Sequence, residues 1–145
     1  MFFKNNSTSE KNRKLFLELC HRNISIYEDT IIKSNVLFTS FSLVKHKIIE
    51  NIDCVVKSMD PNIFVQQDPN NVDYNFFALI YLYNQTSDMV ASGEFSMFRT
   101  LTDEGQSLFS FVKYLMQKLV EIGEWSEERR VEELKALEKE IKSVG

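Results

Sequence analysis

Between Ser9 and Asp60 the chain contains no glycine and no proline, and its apolar residues recur every seven positions. One position of the repeat holds Leu17, Ile24, Ile31, Phe38, Lys45, Ile52 and Met59; the other holds Cys20, Tyr27, Ser34, Phe41, Ile48 and Val55. A sustained heptad is the pattern of helices that bury one stripe against a neighbour, as in a coiled coil, so this span is expected to be helical. One helix of ~50 residues would be ~75 Å long at 1.5 Å rise per residue, too long for a compact bundle. A break is therefore expected, near Glu28–Thr30 or Ser40–Ser42, unless the molecule is an elongated dimer. Ile32, Val36, Leu37 and Leu43 lie off the main stripe, so Ile31–Val44 is apolar on more than one side. Such a helix is central in its fold or covered by a partner chain. On that ground Ile31, Phe38, Phe41, Ile48 and Ile52 are the predicted subunit contact.

Residues 1–8 are polar and expected to be a disordered end, leaving residues 9–145 as a single helical domain. Asp60-Pro61 through Asn70-Asn71 reads as a connection, with two prolines among Asn, Gln and Asp. The run Phe76–Tyr83 would suit a buried strand, but nearly twenty residues separate the connection from Gly93, which favours a helix over Val72–Ala91. Residues 94–102 mix alternation with interruptions and are read as a short strand or an extended crossing. Thr102 or Asp103 is the expected N-cap of a helix with the stripe Leu108, Phe111, Val112, Leu115, Leu119 and Ile122, ended by Gly123. Ser126-Glu127-Glu128 opens the last helix, which buries Val131, Leu134, Leu137 and Ile141. The short gap between them makes an antiparallel helical hairpin. The predicted fold is all-α: an irregular bundle of four to five helices.

Composition narrows the function more than it names it. The net charge is −4, with nine basic and seven acidic residues in 1–60 against eight and fourteen in 61–145. With no basic run, the chain lacks the footprint for binding phosphate backbones, so nucleic acid is not an expected partner. The opening residues have no secretory pattern, and no stretch reaches the ~20 apolar residues of a membrane span. Cys20 and Cys54 do not make a disulfide framework, and the cytoplasm is the expected location. With only four glycines, widely scattered, the common nucleotide loops and the serine-hydrolase elbow are missing.

The sharpest chemical motif is Glu18-Leu19-Cys20-His21. A Glu and a His three residues apart share a helix face and form half of a carboxylate-bridged di-metal site. His46 and Glu50, four apart, also share a face. If the first helical segment turns back near residue 34, His21 and His46 come level and a two-His, two-Glu site becomes possible; otherwise both pairs are solvated surface contacts. Cys20 falls on the apolar stripe, where a free thiol behaves as a small hydrophobe. Tyr74, Phe77 and Tyr81, with Arg99 for an anionic group, are a candidate aromatic ligand pocket, although such stripes usually fill a core.

These observations favour a non-catalytic interaction or assembly domain over an enzyme. Its expected partner is itself, as a homodimer or higher oligomer, or another protein, and no cofactor is implied. The Phe-, Lys- and Asn-rich usage suits an accessory protein of a bacterium or phage with an AT-rich genome. The alternative is a bundle that binds a metal or a small ligand.

Overall fold

The computed structural model describes residues 2–32, 38–60, 62–65, 74–98 and 100–143; the side chains of residues 2–9, 38, 39, 62, 65 and 143 fall outside the description. Within it lie six helices: α1 (Phe2–Ile32), α2 (Phe38–Ser58), the single turn α3 (Asn62–Val65), α4 (Tyr74–Ala91), α5 (Asp103–Glu121) and α6 (Glu127–Ser143). Two short strands, β1 (Ser96–Met97) and β2 (Thr100–Leu101), form a hairpin between α4 and α5. The all-α bundle expected from the pattern is the observed fold. Helix α1 already includes residues 2–8, for which a disordered end is expected.

The heptad span is two helices, not one. The first ends at Ile32 and the second starts at Phe38, with residues 33–37 outside the description; neither Glu28–Thr30 nor Ser40–Ser42, the places favoured by sequence, interrupts a helix. Polar contacts between the helices report their register. His21 meets Asp53 and Glu28 meets Lys45, so positions rising along α1 fall along α2 and the pair is antiparallel. Asn23 donates to Asn75 while Phe16 packs on Tyr81, which makes α4 antiparallel to α1 as well. On the other side, α5 runs antiparallel to α2, with Lys47 beside Glu104 and Phe41 against Phe111.

Where α1, α2 and α5 meet, Tyr27, Phe41, Phe111 and Tyr114 form an aromatic cluster with ring centroids 4.9–6.3 Å apart. The heptad residues Ile24, Phe41, Ile48 and Ile52 are fully buried there or next to it. At the other end of the core, Trp125 packs edge-on to Tyr83 at 4.9 Å, and Tyr83 donates to Glu133 of α6. The helix ends follow their residues. Thr102 Oγ1 accepts from the Gly105 amide, and Ser126 Oγ accepts from the Arg129 amide, each taking up an orphan donor of a first turn. Gly123, at φ +81°, lets the chain leave α5 with the Glu124 and Trp125 amides bonded back to the Leu119 carbonyl. Ile122, read from the pattern as part of the α5 stripe, is exposed.

Burial of phenols and a thiol ties this core to pH. Burial pushes Tyr27 and Tyr81 up to about 12 from 10.0, and Cys20 up to about 12 from 9.0. The folded state holds these groups neutral, so their contribution is complete below pH 9 and is lost as pH climbs towards 12. The urea midpoint should therefore be flat up to pH 9 and then decline steadily; a midpoint unchanged at pH 11.5 would contradict this burial.

Candidate interaction surface at the hairpin

Ser92-Gly93 ends α4, with Gly93 at φ +90°, and turns the chain into β1. Phe95 follows as an anchor, only 2% exposed, and Lys47 of α2 lies over its ring at 5.0 Å. The strands pair Ser96 with Leu101 and Met97 with Thr100, so residue 98 falls in the turn. The base is clamped to α5 twice. Both the Thr102 amide (2.9 Å) and the Thr102 hydroxyl (3.0 Å) donate to the Phe95 carbonyl, while the same hydroxyl caps α5. Gly105 permits this close approach. A Cβ there would collide with the Phe95 carbonyl oxygen and lie 3.1 Å from Phe95 Cβ and 3.2 Å from Leu101 Cδ2.

The rigid stem presents an apolar tip. Phe98 is 90% exposed and Met97 62% exposed, and Phe98 adopts φ +53°. Bulky side chains are rare in the left-handed region, where they cost roughly 1–2 kcal/mol. Leaving a phenylalanine in water forgoes a further ~1.5–3 kcal/mol of burial. No contact among the described residues repays the exposure of the ring. Leu43, 57% exposed on α2, lies one helical turn before Lys47.

Beside the hairpin is a cleft of about 530 Å³ lined by Glu50, Asn51, Cys54 and Val55 of α2, Met89 of α4, and Glu94, with Lys47 at the hairpin side. The Asn51 Oδ1 is buried and accepts no hydrogen bond among the described residues. Cys54 is exposed, whereas Cys20 is fully buried. A second cleft, of about 470 Å³, is lined by Lys11, Arg13, Lys14 and Lys57 around Leu17, with Arg13 paired to Glu10.

The residues singled out from sequence fall elsewhere. Ile31, Phe41, Ile48 and Ile52 are buried against the chain's own helices and offer no face to a second chain in this arrangement. The stripe that suggested a partner is covered by α5 and the rest of the bundle. The Phe38 side chain and Arg99 lie outside the described residues. The antiparallel turn needed for a His21–His46 site is present, but its register is wrong. His21 lies opposite Asp53, at 3.0 Å, while Lys45, the neighbour of His46, lies opposite Glu28. His21 and His46 are thereby about 10 Å apart along the axis at 1.5 Å per residue. Glu18, His46 and Glu50 are exposed, and no group of three or more His, Cys, Asp or Glu side chains converges among the described residues.

The aromatic pocket is also not assembled. Tyr74 is buried, Phe77 is 37% exposed, and Tyr81 packs edge-on to Phe16 at 5.4 Å, its hydroxyl buried without a hydrogen-bond partner among the described residues. Sequence reasoning missed the hairpin tip because Phe98 and Arg99 broke the alternation of residues 95–101. Phe98, where the alternation breaks, is the turn residue.

No helix among the described residues is long and apolar enough to cross a membrane. Comparison with known proteins finds no matching family model, no similar curated protein and no similar solved structure.

The clamp predicts a measurable cost. Gly105→Ala should lower stability by about 1–3 kcal/mol through overpacking against the Phe95 carbonyl, read as a lower urea midpoint. A variant as stable as the parent would show that the hairpin is not held this tightly.

Proposed function

We propose that this chain is a non-catalytic protein–protein interaction domain whose contact is made by the β1–β2 hairpin. The observation that carries the reading is Phe98, 90% exposed in a left-handed conformation that favours Asn or Gly. Folding alone gives no reason for a phenylalanine there, and an outlier of this kind points to a role outside the chain. Exposed aromatic side chains on a rigid support are efficient anchors, since little conformational freedom is lost when they bind. Met97 beside it supplies a flexible apolar neighbour that can adapt to the partner. The partner is a second copy of this chain or another protein; in either case the anchor enters an apolar socket.

Phe98→Asn separates this role from stability. Asn tolerates the left-handed region, so the variant should be as stable as the parent or up to about 1 kcal/mol more stable, while co-purification with the partner is lost. The direct test places the photo-crosslinking residue p-benzoylphenylalanine at position 98 in cells producing the protein. The expected result is one discrete polypeptide adduct, identified by mass spectrometry, that is absent when the group is placed at exposed Lys139 on α6. Irradiation that yields no adduct specific to position 98 would overturn the proposal.

A further inference from the structure

The hairpin tip carries a reactive side chain beside its apolar anchor. Met97 is 62% exposed, whereas Met116 is 1% exposed and Met59 and Met89 are half-buried. Among the described residues it is the one methionine that stands open to solvent. The fold holds it there. Met97 pairs with Thr100 at the turn end of the ladder, and the Thr102–Phe95 hydrogen bonds fix the stem below it. The next residue, Phe98, is the proposed anchor, so Met97 lies within the surface that meets the partner. Its value in that surface depends on its oxidation state. A thioether is flexible and apolar, but a sulfoxide is polar, and burying its oxygen without a donor opposes the contact.

We propose that Met97 is a site of reversible oxidation by a hydroperoxide, and that its sulfoxide releases the hairpin from the partner. The thioether sulfur attacks the terminal oxygen of the hydroperoxide. The O–O bond breaks, an S–O bond forms, and the displaced oxygen takes the proton and leaves as water or an alcohol. Sulfur is oxidised by two electrons and the hydroperoxide is reduced by two. The inference rests on the hairpin being the contact surface. A seated partner covers Met97, so the oxidant reaches the free chain and keeps it free.

The test treats the full chain with hydrogen peroxide, removes the oxidant, and adds dithiothreitol, which returns the exposed Cys54 to its thiol but leaves methionine sulfoxide. Peptide mapping by mass spectrometry should find Met97 oxidised first, ahead of Met59, Met89 and Met116. The unfolding midpoint should not change, because Met97 lies outside the core. The chain carrying p-benzoylphenylalanine at position 98, treated in this way, is then irradiated in a lysate that never met the oxidant. The adduct identified in cells should fall at least about fivefold, the low end of the cost of burying an unpaired polar group. The two methionine sulfoxide reductases, one for each epimer, should restore it. Met97→Leu, similar in volume but without the sulfur, should keep its adduct through the treatment. Met97 oxidising no faster than Met59 and Met89, or an oxidised chain that crosslinks like the untreated one, overturns the inference. An untreated chain that forms no adduct removes the hairpin reading and the switch with it; an adduct that oxidation leaves unchanged removes the switch alone.

Discussion

The inward orientation of α1 and α2 is set by the aromatic junction of Tyr27, Phe41, Phe111 and Tyr114. Those rings come from three helices, and they can meet only if the heptad stripe of residues 17–59 turns towards α5. Once it does, Ile24, Ile48 and Ile52 lose all contact with solvent in the same step. Edge-on and tilted packing of these rings stabilises the bundle. The His21–Asp53 contact and the Glu28–Lys45 ion pair lie at the margin of this core. Being partly exposed they add little energy, but they agree with a single register of α1 on α2.

That register decides which chemistry the chain can assemble. Shifting α2 by two turns would bring His46 level with His21, but it would also pull Phe41 out of the aromatic junction. Packing outweighs the polar alternative, since losing a buried phenylalanine costs about 3–5 kcal/mol. The same logic explains the tyrosines. Tyr81 and Tyr83 are neighbours in sequence but face different helices: Tyr81 meets Phe16 of α1, and Tyr83 meets Trp125 and Glu133 beside and within α6.

Much of the architecture was legible in the residues because helices declare their period and their ends. The α5 stripe as far as Leu119, the Thr102 cap, the Gly123 exit and the Ser126 start all follow from local chemistry, and the structure has them. Two things were not legible. A heptad stripe looks the same whether its cover is another chain or a later helix of the same chain, so Ile31, Phe41, Ile48 and Ile52 read as an interface although α5 and its neighbours already cover them. The hairpin tip was hidden because a two-residue strand has no period. Its signal is a conformation, Phe98 at positive φ, that no sequence pattern displays. The candidate surface therefore emerged from what the fold leaves uncovered rather than from a motif.

Among the described residues one chain covers its own heptad stripe, so the proposed contact through the hairpin stands apart from the core. Thermal unfolding followed across a dilution series, from about 1 μM to about 10 nM, tests it most directly, because a core shared between chains makes stability depend on concentration. In Phe98→Asn, which removes any contact through the hairpin, the midpoint is expected not to move on dilution, since Phe41, Ile48 and Ile52 are covered within one chain. A midpoint that falls steadily with dilution even in that variant would show that the stripe needs a second chain to cover it, and would contradict the packing of α1 and α2 against α5.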